Sequence, residues 1–414
     1  MTSRERVRYA LNHKQPDRVP VDFGSTAVTG ISASALYKLR SRLGLEDRPV
    51  KIVDPYQMLG EVDDDIKKYL HVDVVGVPAI KNLFGFKNTD YKPWTLFDGT
   101  PVLVPGGFNT VPEKNGDILM YPQGDRSAPP SGKMPKGGYY FDALIRQQPL
   151  DDEYLNPEDN LEEFSLLDDD SLRYIETETD RLYRETEYAI IGRAGNSGLG
   201  DIAYVPGPML KHPKGIRDVE EWYISLLTRQ DYIKEVFDRQ TDLAIQNFKL
   251  YKQAVGNKID ILFLCGTDSG TQNAPFCSVE LFRELYVPFY KKMTSWIRQN
   301  TQWKIFKHTC GAVEPLIPEL IDAGFDILNP VQCSAAGMEP QKLKETYGDR
   351  IVFWGGGVDT QATLPFGRPD EVYDQVRSRI ETFNKNGGFI FNAIHNIQAK
   401  TPVENLVAMA EAIY

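Results

Sequence analysis

The stretch WKIFKHTCG (residues 303–311) joins a predicted strand to a candidate metal site. The apolar run at 303–306 is typical of a buried strand, and His308 and Cys310 follow it two residues apart. Because side chains two apart on a strand point the same way, both can converge on one atom. Cys333 comes just after the next apolar run, at 325–328. Imidazole and thiolate are ligands that zinc prefers, so we predict a zinc site made of His308, Cys310 and Cys333.

The spacing of these residues also indicates the kind of site. Structural zinc fingers pair C-x-x-C units, which are absent here, and three ligands with an open fourth position are typical of a catalytic zinc. The alternative is that the cysteines simply fill the core, since free cysteine is among the most buried residue types.

Further short apolar runs extend this pattern over most of the chain. Eight candidate strands fall at 19–23, 72–75, 188–193, 259–264, 303–306, 325–328, 351–354 and 388–391. Helical patterns fall at 3–15, 32–43, 63–70, 217–228, 231–255, 278–299, 313–323, 339–346, 369–385 and 402–413. Apolar runs that do not alternate, separated by helices, indicate a parallel sheet covered on both faces. Eight such units predict a (β/α)₈ TIM barrel; an open doubly wound sheet is the alternative.

Residues 84–165 have a different character. This segment is rich in glycine, proline and aromatic residues and contains short strand candidates, which predicts a β-rich insertion made of hairpins. We therefore predict one barrel domain over residues 1–414, with 84–165 forming a lid over the barrel mouth. The alternatives are that its aromatic side chains form a small separate core or a surface for a partner.

Composition excludes several classes of protein. Of 414 residues 41% are hydrophobic, and the net charge is −11, with 47 basic and 58 acidic residues. No run of lysine and arginine suggests nucleic-acid binding. The N-terminus has no apolar core of a signal peptide, and no apolar run is long enough for a membrane span. Four cysteines make no disulfide framework, so we expect a cytoplasmic protein.

The carboxyl ends of the predicted strands carry most of the chemically versatile side chains. Active sites of barrels lie at that face, so these residues are candidates for the site. We predict that Asp22, Arg193, Asn329 and Gln332 bind substrate, although the amides could equally hold barrel loops together. Asp268 could bind substrate or orient a metal ligand, as a catalytic residue, or could be an ordinary turn residue.

Four segments resemble the uroporphyrinogen decarboxylase superfamily. They are PDRVPV (16–21), HTCG (308–311), FNAIHN (391–396) and TPVEN (401–405), and the resemblance spans about residues 3 to 413 apart from the insertion. It implies a (β/α)₈ barrel with its site at the strand C-termini. The decarboxylases of the superfamily bind a tetrapyrrole through an Arg-Gln-Ala-Gly-Arg-Tyr segment, and this chain has VDFGST (21–26) there instead.

The chain is more similar to the zinc-dependent methyltransferases of the superfamily, which exchange methyl groups with a corrinoid protein or coenzyme M. His308 and Cys310 match their His-x-Cys pair. Their third ligand is a cysteine near the last strand, where this chain has His395, so His395 is the alternative to Cys333 as third ligand.

The resemblance implies a methyl transfer from a small methylated donor to the cobalt of a corrinoid (cobalamin) on a partner protein. The donor is expected to be a methyl ether, such as a methoxylated aromatic, or a methylamine. Zinc would polarise the leaving atom, and His395 would act as proton donor. Two alternatives are a metal-free decarboxylase and a barrel that binds a corrinoid or tetrapyrrole without chemistry.

Overall fold

The computed structural model describes all 414 residues. In chain order the strands are β1 (Ile31–Ser32), β2 (Val50–Asp54), β3 (Leu59–Gly60), β4 (Val74–Gly76), β5 (Lys92–Thr95), β6 (Pro101–Val104), β7 (Ile118–Met120), β8 (Gly132–Met134), β9 (Asp142–Ala143), β10 (Ala189–Gly192), β11 (Ile261–Cys265), β12 (Lys304–His308), β13 (Ile327–Asn329), β14 (Val352–Trp354) and β15 (Phe389–Ile390). The helices are α1 (Ser3–Leu11), α2 (Ala33–Arg42), α3 (Asp64–Tyr69), α4 (Asp169–Glu185), α5 (Val219–Thr228), α6 (Gln230–Val255), α7 (Val279–Leu285), α8 (Val287–Asn300), α9 (Ile317–Asp322), α10 (Pro340–Tyr347), α11 (Thr363–Phe366), α12 (Pro369–Phe383) and α13 (Val403–Ala412).

Seven of these strands form one parallel sheet whose order follows the chain: β4, β10, β11, β12, β13, β14 and β15. Val21 connects the two edge strands of this sheet, β4 and β15, and so closes it into a ring. It pairs in parallel with Phe391, just beyond β15, and its carbonyl accepts the Asp73 N–H at 2.7 Å, just before β4. The predicted (β/α)₈ barrel is therefore confirmed, and the alternative of an open sheet is wrong.

The barrel interior is filled by alternate residues of these strands, as the two-residue period of a strand requires. The side chains of this inner cluster are Val74, Ala189, Ile191, Ile261, Phe263, Phe306, Ile327, Val352, Trp354 and Ile390. Val7, Ala10 and Leu11 of α1 belong to the same cluster, so α1 seals the N-terminal end of the barrel. The residues between the inner ones face the surrounding helices and form the larger outer core.

The sealed end is held by a network of charges. Asp73 is fully buried and accepts from Arg6 Nη1 and Arg18 Nη1, both at 2.7 Å. Arg6 also pairs with Asp17 at 2.6 Å. Helix α1 itself begins with a capping box between Thr2 and Glu5. The PDRVPV segment thus supplies two members of the network that fixes α1 across the bottom of the barrel.

The β-rich part of the chain forms two additional sheets. Strands β7, β8 and β9 pair antiparallel, and a five-stranded sheet has the order β1, β3, β2, β6, β5. Three of the five strands, β1, β2 and β3, precede residue 84. They belong to the same sheet as β5 and β6 because β2 pairs in parallel with β6. The segment is fastened to the loop after β10 by Arg146, which donates to the carbonyls of Gly207 and Leu210 at 2.6 and 2.7 Å.

Helix α4 was not predicted, and its composition explains why. Its buried face consists of Ser171, Ile175, Thr179 and Leu182, which recur at helical spacing, but only two of the four are apolar, so the segment contains few apolar residues that would mark it as a buried helix. The predicted helix at 278–299 is two helices, α7 and α8, which meet at Tyr286. None of the helices combines the length and the apolar character that crossing a bilayer would need.

Candidate metal centre and binding cleft

Three side chains converge at the carboxyl end of the barrel. One ligand atom each from His308, Cys310 and His395 lie within 4.8 Å of one another. The Sγ of Cys310 is 3.5 Å from Nε2 of His308. Tetrahedral zinc with a sulfur and a nitrogen ligand holds them about 3.6 Å apart, so this pair already has the required separation.

His308 is the last residue of β12, two residues after Phe306, and the strand period therefore turns it into the barrel. In the register of β12 with β13 it lies beside Asn329, whose Oδ1 is 2.5 Å from His308 Nδ1. Asn329 Nδ2 donates to the Trp354 carbonyl at 2.8 Å, which fixes the amide with Oδ1 toward the ring. His308 thus carries its proton on Nδ1 and presents the Nε2 lone pair to the cluster.

Cys310 lies in the tight loop after β12. Its N–H donates to Asp268 Oδ1 at 2.7 Å, and the Gly311 N–H donates to Gln332 Oε1 at 2.9 Å. Gly311 has a φ of 93°, and a Cβ there would lie 2.3 Å from the backbone of Gly270, so only glycine fits. Burial, and then the negative charge of Asp268, raise the pKa of the Cys310 thiol well above its usual range. A thiolate at this position needs a cation beside it.

His395 follows β15 with a φ of 69°, a left-handed conformation that is uncommon for a residue with a side chain. This turn brings its ring to 5.3 Å from the ring of His308, centroid to centroid. Burial, with a smaller contribution from His308, lowers the pKa of His395 to about 4. The imidazole is therefore neutral at pH 7 and suited to binding a metal, and its role as a proton donor stays a prediction.

Cys333 lies outside this cluster, so the structure does not bring together the predicted set of His308, Cys310 and Cys333. Its thiol donates to the carbonyl of Val331 at 3.3 Å. A Cβ on Gly356 would lie 3.3 Å from the Cys333 sulfur and 3.3 Å from the ring of Phe383, which places the thiol against the loop after β14 and helix α12. Burial raises the pKa of this thiol to about 11. Cys333 is thus not part of the cluster, whose third residue is His395.

Three of the predicted substrate-binding residues, Asp22, Asn329 and Gln332, are engaged in hydrogen bonds within the chain. Asp22 is fully buried and accepts from the Ser25 hydroxyl and from Trp354 Nε1, at 2.7 and 3.1 Å. Asn329 orients His308, as described above. Gln332 Nε2 donates to Gln272 Oε1 at 2.9 Å, while its Oε1 accepts from Gly311. Gln332 therefore links the loops after β11, β12 and β13.

Arg193 and Asp268, by contrast, remain available to a ligand. Asp268 lies 3.7 Å from His308 Nε2 while it holds the Cys310 backbone. Arg193 is exposed, and its Nη2 donates to the hydroxyl of Tyr204 at 2.7 Å. Tyr204 was not predicted, since it lies in an irregular loop where no period singles it out.

The donor set of the cluster fits zinc. It offers two neutral imidazoles and one thiol, all partly or fully enclosed, and His308 is fixed by an amide partner as metal-binding histidines usually are. Three protein ligands leave a coordination position for a substrate atom, which is the arrangement of catalytic zinc sites.

Comparison with known proteins identifies the family. The family model described as uroporphyrinogen decarboxylase (URO-D) matches residues 208–414, half of the chain. The chain belongs to the uroporphyrinogen decarboxylase family. The matched half contains β11 to β15 and all three residues of the cluster, so the family assignment covers the candidate site itself.

One solved structure supports the fold of this family member, and a second, with a lower TM-score, is given for comparison only. A methyltransferase from Methanosarcina mazei is similar over 100% of this chain and 98% of its own, with 18% identity and a TM-score of 0.55. PbGH5A, a glycoside hydrolase family 5 enzyme from Prevotella bryantii B14, matches 63% of this chain and 80% of its own, with 8% identity and a TM-score of 0.33. No curated protein sequence matches the chain.

Proposed function

We propose that the chain is a zinc-dependent methyltransferase, which moves a methyl group from a small methylated donor to the cobalt of a corrinoid carried by a partner protein. The observation that carries the proposal is the convergence of His308, Cys310 and His395 within 4.8 Å at the carboxyl end of a uroporphyrinogen decarboxylase barrel. The likeness of the whole chain to a methyltransferase barrel agrees with it.

When bound, zinc supplies a Lewis acid that polarises the oxygen or nitrogen from which the methyl group departs. The chain's own residues prepare the place for it. Asn329 holds the tautomer of His308, and Asp268 holds the backbone of Cys310. The loop that carries Cys310 is fixed from the other side by Gln332, so the thiol and the imidazole keep their separation before any ligand arrives.

The approach to the site agrees with a partner-dependent reaction. Loops from the carboxyl ends of the strands surround the cluster, and the residue 84–165 segment leaves the barrel after β4 at this same end. We propose that this segment forms a lid over the donor. The cobalt of the partner must still reach the methyl carbon, so the lid must leave one side of the mouth open.

Metal content of the purified protein tests the proposal first. We expect about one zinc per chain in wild type, as tetrahedral catalytic sites hold. Zinc is expected to be lost in Cys310→Ala and in His395→Ala. Cys333→Ala is the matched control, because it removes a half-buried thiol outside the cluster, and it should retain zinc. Loss of zinc in Cys333→Ala with retention in His395→Ala would contradict the ligand set.

Methyl transfer is then tested directly. The zinc-loaded protein is mixed with cob(I)alamin and either methoxylated aromatics or methylamines, and formation of methylcobalamin is followed by its absorption spectrum. Turnover that disappears in Cys310→Ala supports the proposal. A different outcome would support the metal-free decarboxylase that the family description names. In that case wild type would bind no zinc even after reconstitution with the metal, and it would release carbon dioxide from a porphyrinogen.

A further inference from the structure

Arg193 directly follows β10 and holds a guanidinium with unused hydrogen-bonding capacity. An arginine has five N–H donors, and here one contact, from Nη2 to the Tyr204 hydroxyl at 2.7 Å, engages the group. No carboxylate oxygen lies within 4.0 Å of it, although the side chain is exposed in the barrel mouth. At the sealed end, Arg6 and Arg18 both pair with Asp73. The open guanidinium of Arg193 is therefore poised for an acceptor from outside the chain.

A cavity of ≈ 110 Å³ lies beside this guanidinium. Arg193 and Tyr204 both line it. Because the Tyr204 hydroxyl accepts the Arg193 N–H, its own proton is left to donate into the cavity. Glu163 also lines the wall, but its carboxylate is paired with Arg217 at 2.9 Å. The cavity thus offers a cation and a hydroxyl donor, which is the chemistry that binds a carboxylate.

Asp54 and Asp201 lie close enough for their charges to raise the pKa of Arg193, but neither they nor Asp268 has an oxygen within 4.0 Å of the guanidinium. Asp54 accepts the N–H of Tyr56 at 2.9 Å, and Asp201 accepts the N–H of Ala203 at 3.0 Å. Burial raises the pKa of both carboxyls, which favours their neutral forms. Asp268 accepts the Cys310 N–H, as described above. Each acid is thus engaged locally, and the guanidinium keeps its charge for a ligand.

Phe263, which is 7% exposed, lies between Arg193 and the fully buried Phe306. The guanidinium lies 5.5 Å from the ring centroid of Phe263, which stacks on Phe306 at 5.2 Å and 25°. Phe306 in turn meets Trp354 edge-to-face at 5.2 Å. Strands β10 and β12 are two apart in the sheet, so their side chains stand about 10 Å from each other. A ligand that reaches from one to the other needs an apolar body roughly one benzene ring long.

We propose that Arg193 and Tyr204 bind a carboxylate of the methyl donor, and that the donor is a methoxylated aromatic carboxylic acid. The ring lies against Phe263, and the methoxy oxygen faces His308, Cys310 and His395. The identity of the acid as a methyl donor rests on the proposed function. The carboxylate site itself rests only on the open guanidinium, the cavity and the neighbouring Phe263.

Equilibrium binding by the zinc-loaded protein tests the site without requiring turnover. The probes are 3- and 4-methoxybenzoate and the corresponding methoxybenzamides, which have the same shape and no charge. We expect wild type to bind at least one acid roughly tenfold to a hundredfold more tightly than its amide, as a charge-assisted hydrogen bond provides. Arg193→Met should remove this preference by lowering the affinity for the acid while leaving the affinity for the amide unchanged. Tyr204→Phe should lower the affinity for the acid by roughly threefold to tenfold.

Two further variants separate the site from general effects of charge. Arg193→Lys keeps the charge without the planar fork, and its preference should lie between those of wild type and Arg193→Met. Arg184→Met removes an arginine from the surface of α4, where the side chain is 74% exposed, and should leave the preference unchanged. Zinc content and far-ultraviolet circular dichroism show whether each variant is folded.

Three results would overturn the carboxylate site: equal affinity of wild type for acid and amide, a preference that survives Arg193→Met, or no binding of any probe at millimolar concentration. An acid preference that depends on Arg193, found together with no methyl transfer to cob(I)alamin, would leave the carboxylate site standing and reject the methyltransferase reaction.

Discussion

The two ends of this barrel differ in how their charged side chains are paired. At the N-terminal end, Asp73 is enclosed between Arg6 and Arg18, and α1 covers this end of the barrel. At the carboxyl end, no carboxylate oxygen lies within 4.0 Å of the Arg193 guanidinium, and the donor atoms of His308, Cys310 and His395 lie within 4.8 Å of one another. The charged groups of one end are thus paired within the chain, whereas those of the other end lie at the face where barrels bind their ligands.

The largest effect is expected from breaking the sealed end. Asp73→Ala leaves Arg6 and Arg18 without their buried partner, and removing one member of a buried ion pair costs about 3–5 kcal/mol. Urea unfolding measures the loss of stability. Asp349→Ala, whose side chain is 83% exposed, is the control and should change little. If Asp73→Ala were as stable as wild type, the network would not be what secures this end.

The next effect concerns the partner of a metal ligand. Asn329→Ala removes the amide that fixes the tautomer of His308, and loss of such a partner typically lowers metal affinity about tenfold to a hundredfold. Zinc affinity is measured by competition with a chromogenic chelator. Asn300→Ala, at the exposed end of α8, is the matched control. Unchanged affinity in Asn329→Ala would show that the ring needs no orientation from this amide.

A third effect is the pH dependence of zinc binding. The Cys310 thiol has a raised pKa and is protonated near neutral pH, whereas both imidazoles are neutral because their pKa values are lowered. Binding zinc to a thiolate therefore releases one proton, so zinc affinity should increase about tenfold per unit of pH between pH 6 and 8. Calorimetry in buffers of different ionisation enthalpy measures this proton. A pH-independent affinity would contradict thiolate ligation.

The smallest effect returns to the sealed end. Thr2→Ala removes the cap of α1, which donates no group to the cleft, and loss of such a cap costs about 1 kcal/mol. The loss should appear in urea unfolding, while zinc affinity stays at the wild-type value. Reduced zinc affinity in the folded Thr2→Ala protein would mean that the two ends are coupled, and it would weaken the division drawn between them.

The strands and part of the site could be predicted because they follow from local periods. Buried parallel strands appear as apolar runs, and His308 and Asn329 each lie two residues after an inward side chain, so their direction is set by the strand. The third residue of the cluster could not be identified from such a period. Cys333 and His395 both lie in loops, and the positive φ of His395 that turns it inward has no signature in the order of residues.

Tyr204 and α4 were missed for a related reason. Tyr204 reaches the cleft from an irregular loop, and the inward face of α4 includes two hydroxyl side chains. Strand β2 precedes β4 in the chain and β6 follows it, yet the two strands pair in one sheet. The bounds of the β-rich region could therefore not be predicted from composition alone. Such features depend on contacts between distant segments, which a single sequence does not reveal.

The closure of the barrel at Val21 has a consequence for how the protein is made. Synthesis runs from the N-terminus, so the segment around Val21 leaves the ribosome long before Phe391, with which it pairs. Until then the growing sheet has two open edges, and unpaired strand edges promote association with other chains. We expect the newborn chain to depend on chaperones until the segment around Phe391 emerges, and to become resistant to aggregation once the ring is complete.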